Sequence, residues 1–192
     1  MNFLAHLYLS GDNESLRFGN FIGDAVRGNQ LARFPEDIQR GIILHRKIDS
    51  FTDEHPIFRK HCKLLYPDHG HYARVILDVI YDYFIASNWS KFHSQTLNEY
   101  AAAFYLATKE REHLLPASME RLFALMQKQN WLLQYASLEG LEHILFHMNK
   151  RTSFPSQFPQ AVTVLKNEEQ QMLPDFFIFF DELINYCNNQ SI

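Results

Sequence analysis

Two cysteines, Cys62 and Cys187, are all the chain contains, and their positions match neither a disulfide framework nor a zinc-knuckle spacing. A reducing cytoplasm is therefore the expected compartment. Glycine and proline are sparse, seven of each among 192 residues, too few for the evenly spaced turns of an all-β chain. No apolar run approaches the roughly 20 residues needed to span a bilayer. The first residues, Met1 to Leu9, lack a basic n-region and a cleavage site, so no signal peptide is expected. Excess positive charge is missing too. A net charge of −4 argues against a general nucleic-acid binder.

Large side chains are present in quantity. The chain is 46% hydrophobic and 15% aromatic, with 17 phenylalanines, which excludes disorder and predicts a core filled with rings. At this length it needs no structural metal to fold, so a metal bound here would be catalytic. Arg17, Arg27, Arg33, Arg40, Arg46, Lys47, Arg59, Lys60 and Lys63 make up half of the 18 basic residues, all in the first third of the chain. They are either one basic face for an acidic partner or a set of ordinary solvated helix faces.

Apolar residues recur at helical spacing throughout. The pattern predicts an all-α, single-domain multi-helix bundle over residues 1–192, with metal-site helices over about 1–90 and C-terminal helices over about 91–192. Helices are expected at Asn2 to Leu9, at Ser15 to Val26 with Gly28 as its C-cap, and from Pro35 to about Phe51. Another should end near Leu65 before a Pro67-Asp68-His69-Gly70 turn. Further helices fall at Tyr72 to Asn88, Gln95 to Thr108, Ala117 to Gln129 and Leu138 to Asn149. Arg151 to Pro159 reads as a connector, and two helices separated near Pro174 complete the chain. The aromatic run Phe176 to Phe180 is either core or an intersubunit contact of a homodimer.

The functional signal lies in polar residues where apolar ones are expected. Ile38, Ile42, His45 and Asp49 share one helix face, as do His71, Val75, Asp78, Asp82 and Ile85. Asn20, Asp24 and Arg27 repeat the theme, with Gly19 and Gly23 allowing close approach of another backbone. His6 lies between Phe3 and Leu9. Burying imidazoles and carboxylates is costly unless something pairs with them, and a divalent cation is one such partner. Mixed ligands of this kind suit Mn²⁺, Fe²⁺, Zn²⁺ or Mg²⁺, one side chain coming from each of several helices. The plainer alternatives are a hydrogen-bonded core histidine at His6, and salt bridges from Asp49 and Asp82 to Arg46 or Arg74.

The segments Met1 to Leu7, Gly19-Asn20-Phe21-Ile22-Gly23-Asp24-Ala25-Val26-Arg27-Gly28, Gly41 to Asp53 and Leu77 to Phe84 resemble the acyl carrier protein phosphodiesterase family, a divergent branch of the HD-domain phosphohydrolases. The resemblance implies an HD-domain-like all-α fold and Mn²⁺-dependent removal of 4′-phosphopantetheine from the serine of holo-acyl carrier protein. It implies Asp24, His45 and Asp78 as metal ligands, with Asp49, Asp82 and His6 completing or orienting the set. Arg27 and Arg46 are candidates for the phosphate and Asn20 for an orienting role. The adjacent His-Asp doublet that names the HD superfamily is absent. Tyr83 stands where the family often carries histidine. Tyr66, Tyr72 and Tyr105 line either a pantetheine channel or the core. Two competing readings are a metal phosphohydrolase acting on a nucleotide or other small phosphodiester, and a non-catalytic helical interaction protein.

Overall fold

The computed structural model describes residues 1–150 and 157–190, among which there are ten α-helices and no strand. They are α1 (Phe3–Leu9), α2 (Glu14–Ile22), α3 (Glu36–Glu54), α4 (Pro56–His69), α5 (Ala73–Ser87), α6 (Leu97–Glu110), α7 (Ala117–Gln129), α8 (Trp131–Gln134), α9 (Leu138–Asn149) and α10 (Ala161–Asn188). The all-α expectation holds. No described helix is long and apolar enough to cross a membrane.

Local chemistry sets most of the ends. Asn13 caps α2 by accepting from Leu16 N, and Ser137 caps α9 in the same way through Gly140 N. Thr96 and Glu99 form a reciprocal capping box on α6. Glu36 and Asp37 lie in the first turn of α3, where the helix dipole favours acids.

Helix α5 lies inside the bundle. From Val79 to Ala86 every residue is buried, and α1, α4, α9 and α10 pack around it. One contiguous core runs from Leu4 through Phe58, Tyr81 and Phe104 to Phe180. Helices α2 and α3 cross with their backbones almost touching: a Cβ on Gly41 would lie 2.8 Å from both Asn20 N and Gly19 Cα. That crossing brings the polar residues of α2 and α3 together.

Several boundaries differ from expectation. Helix α2 ends at Ile22 rather than Val26, and Gly28, at φ +49°, opens the next tight turn instead of capping α2. Pro67 lies within α4, where its missing N–H removes one hydrogen bond near the helix end; Gly70, at φ +52°, provides the stop. Pro174 does not split the last helix. Met172, Phe176, Phe179, Phe180 and Leu183 bury one face of α10 against α3, α4 and α5, and this packing outweighs the lost backbone bond. The short α8 is an element that the pattern did not predict. Of the connector expected over Arg151 to Pro159, residues 151–156 lie outside the described residues.

Candidate metal centre and its pocket

Helix α1 carries His6 inward because Leu4, Ala5, Leu7 and Leu9 surround it with buried apolar side chains. Helix α3 brings His45 and Asp49 one turn apart, below the buried Ile38 and Ile42. Donor atoms of His6, His45 and Asp49 all lie within 4.8 Å of one another. The two imidazoles stack with ring centroids 4.1 Å apart.

Asn20, fully buried on α2, orients both rings. Its side-chain Nδ2 donates to the His6 carbonyl and to Ser10 Oγ, each at 2.9 Å, which leaves Oδ1 as the acceptor for His6 Nδ1–H at 2.8 Å. Its backbone carbonyl accepts from His45 Nδ1 at 2.9 Å. Both rings thus donate through Nδ1 and present Nε2 to the centre, an arrangement common among metal-binding histidines.

What faces Nε2 is acidic in both cases. His6 Nε2 lies 3.2 Å from Asp49 Oδ1 and 3.1 Å from the Met1 carbonyl oxygen. His45 Nε2 lies 3.1 Å from Asp24 Oδ1 and 3.1 Å from Asp49 Oδ2. Burial lowers the His6 pKa to about 4, assisted by the neighbouring His45 charge and opposed by Asp49. For His45 burial also lowers the pKa, but hydrogen bonds to Asp24 and Asp49 outweigh it and raise the value to about 9. Asp49 is held well below the usual carboxylate range: burial opposes this, and the hydrogen bond from His45 overcomes it. A neutral His6 donating through Nδ1 leaves a bare nitrogen facing oxygen acceptors. Such a geometry could hold a cation between them, and the donor set fits a divalent metal of intermediate softness.

The remaining candidates divide. Asp24, in the tight turn after α2, is 83% exposed and reaches the centre only through His45. Asp78 faces the Met1 ammonium, with Oδ1 at 3.0 Å, and the same ammonium lies 3.6 Å from Asp49 Oδ1. Asp82 is turned the other way. Its two oxygens accept from Leu4 N at 2.7 Å and Ala5 N at 3.0 Å, so this buried carboxylate caps the start of α1 rather than joining the trio. Burial pushes its pKa to about 7 despite these two bonds. His71 and Val75, expected on the same inward stripe, are exposed.

Arg46 Nη2 donates to the Val26 carbonyl at 2.9 Å, and Arg27 is exposed at the surface. The salt bridges considered as alternatives do not form: Arg74 pairs with Asp53 at 2.9 Å, while Asp49 pairs with the histidines. Gly19 admits the α3 backbone as expected. Gly23 instead admits the His45 ring, since a Cβ there would lie 2.6 Å from His45 Cβ. Tyr83 points to α10, its hydroxyl donating to Glu169 at 3.2 Å, so it packs away from the trio.

Beside the centre lies a pocket of about 460 Å³, whose wall includes Met1, Asp24 and Asp78. Much of the remaining wall comes from the C-terminal half, Leu122, Trp131, Tyr135 and Ile144 among it. Sequence reasoning missed these four residues: Leu122 and Ile144 read as core faces of their helices, and Trp131 and Tyr135 fall between the expected helices. Of the three tyrosines considered for a channel, Tyr72 lines this pocket, Tyr66 is exposed elsewhere, and Tyr105 is buried, accepting from Leu132 N.

Fold and centre together define an all-helical protein with an imidazole and carboxylate site at the edge of a pocket. Its relatives make the assignment specific. The family described as acyl carrier protein phosphodiesterase matches residues 1–183. A protein of that name from Photorhabdus laumondii is 35% identical over 153 residues, covering 79% of this chain and 77% of its own. One from Yersinia enterocolitica is 28% identical over 193 residues and the whole of both chains, and one from Escherichia coli is 34% identical over 155 residues, 79% of each. No solved structure matches. The chain belongs to the acyl carrier protein phosphodiesterase family.

Proposed function

We propose that this chain hydrolyses the phosphodiester between 4′-phosphopantetheine and the serine of holo-acyl carrier protein, at a divalent metal centre held by His6, His45 and Asp49. The observation that carries the metal is the pair of Nε2 atoms, oriented by Asn20 and facing carboxylates with no donor between His6 and Asp49. A bound Mn²⁺, with Mg²⁺, Fe²⁺ or Zn²⁺ as substitutes, would supply a Lewis acid for a phosphoryl oxygen and lower the pKa of an attacking water.

The chain's own groups have distinct tasks in this reading. Asn20 fixes the tautomer of both imidazoles. Asp24, exposed beside His45, is free to complete the ligand set or take a proton from water. The Arg46 guanidinium keeps N–H donors beyond the one given to Val26, and with Arg27 it offsets phosphoryl charge. Asp78 and Asp82 support the centre from behind, through Met1 and α1.

The basic first third would meet an acidic carrier protein, although Arg40 and Lys60 already pair with Asp37 and Asp175. Arg27, Arg33 and Lys63 are exposed cations available for that contact. A cytoplasmic location suits the free cysteines, whose thiols burial pushes up to about 12. An HD-domain-like ancestry and a single domain over 1–192 belong to the same proposal. The test is incubation with holo-acyl carrier protein and Mn²⁺, following loss of the phosphopantetheine mass. Conversion to the apo protein by wild type but not by Asp24→Ala supports the reading; metal uptake without conversion redirects it to a smaller phosphodiester.

A further inference from the structure

We infer that the pocket beside the centre is the seat of the pantetheine arm, a neutral chain of alternating apolar and amide groups, while the phosphate lies at the trio. This rests on the function proposed above and extends it to the C-terminal helices that complete the pocket wall. Continuity is the first argument. Asp24, 3.1 Å from His45 Nε2, is also part of the pocket wall, so a group entering the pocket passes the candidate metal site.

Chemistry is the second argument. Among the described residues the wall contains no arginine or lysine, and its side-chain charges are the carboxylates of Asp24 and Asp78, beside the Met1 ammonium. The one cation there, the Met1 ammonium, is already paired with Asp78 and Asp49, so a nucleotide or second phosphate would find no unpaired cation among the described lining residues, whereas an uncharged arm meets no repulsion. Trp131, Ile144 and Leu122 offer apolar contact, and the volume of about 460 Å³ lies within the roughly 300–1,000 Å³ of small-molecule sites.

Polar anchoring is the third. The Tyr135 hydroxyl is fully buried and accepts from Asn2 Nδ2 at 3.0 Å, so its own proton remains to be donated to an amide carbonyl. Burial keeps that phenol protonated, well above its usual pKa. Amide groups on the ligand match this donor; a plain acyl tail would not.

Val75 gives the test, because it lines the pocket yet is 43% exposed, so a larger side chain enters the pocket without displacing the core. Free pantetheine, which lacks the phosphate, is titrated calorimetrically into metal-stripped wild type and into Val75→Trp, with melting temperature as the control on folding. Saturable binding by wild type, weakened about tenfold or more in the variant, is expected. No binding at millimolar pantetheine, or equal binding by both, overturns the assignment. Holo-acyl carrier protein turnover with Mn²⁺ separates the two levels. Turnover without pantetheine binding, at a KM that Val75→Trp leaves alone, refutes the pocket and spares the function; pantetheine binding without turnover does the reverse.

Discussion

Replacing Gly23 by alanine adds one methyl group at a position whose backbone, φ −52° and ψ −44°, accepts any residue. The effect therefore comes from space alone. The new Cβ would lie 2.6 Å from His45 Cβ and 2.8 Å from His45 Cδ2, where ordinary contact begins at 3.4 Å. His45 has to withdraw by on the order of 1 Å, or α2 and α3 have to part by as much. The ring is held by Asn20 O at 2.9 Å and by Asp24 and Asp49 at 3.1 Å, so a shift of that size breaks at least one of these bonds. Overpacking of this kind costs about 1–3 kcal/mol, and a chain of this size loses roughly 2–4 °C per kcal/mol, giving a fall in melting temperature of roughly 2–12 °C. Displacing an oriented ligand lowers metal affinity about 10–100-fold. Thermal denaturation and Mn²⁺ titration of the variant measure the two effects. A variant that melts and binds Mn²⁺ like wild type would refute the claim that Gly23 makes room for His45.

Asp82→Asn, measured at pH 8 where the native carboxylate is ionised, should lose about 1–3 kcal/mol, because an amide can accept from only one of Leu4 N and Ala5 N; an unchanged melting temperature contradicts its role as the α1 cap. His61, buried between Tyr81 and Asp175, has its pKa lowered by burial, with Asp175 opposing. The unfolded chain therefore binds this proton more readily. The resulting stability is complete above about pH 6.5 and is lost as pH falls, by at most about 1.4 kcal/mol per pH unit. His61→Gln should flatten the acid limb of a pH–stability profile, and an identical limb would reject the assignment. Phe179→Ala should cost about 3–5 kcal/mol without changing the mass in solution, since Phe176, Phe179 and Phe180 are fully buried within the chain; a shift in oligomeric state would return the aromatic run to an intersubunit role.

Helix content and the polar interruption of inward helix faces at His6, His45 and Asp49 were legible in the sequence because both depend on local periodicity, whereas the convergence of these three, rather than of Asp24, His45 and Asp78, was not. Helical spacing places Ile38, Ile42, His45 and Asp49 on one face whatever surrounds them, and α7 and α9 fall where the pattern puts them. The division of labour among the acids was not legible. Asp78 and Asp82 occupy adjacent turns of one helix, yet one faces Met1 and the other caps α1, a distinction created by how α1 docks on α5. Pro174 misled for a related reason: local propensity favours a break, and only the burial of Phe176 and Phe179 shows why the helix continues. The pocket was hidden most completely, since Trp131, Tyr135 and Ile144 meet Asp24 only through long-range packing.

A metal centre formed by His6, His45 and Asp49 can be tested without substrate. Its most direct test is calorimetric titration of Mn²⁺ into EDTA-stripped protein, wild type against His45→Ala. Stoichiometric uptake by wild type and at least a roughly tenfold loss of affinity in the variant are expected; equal uptake by both, or none by wild type, would rule this metal centre out.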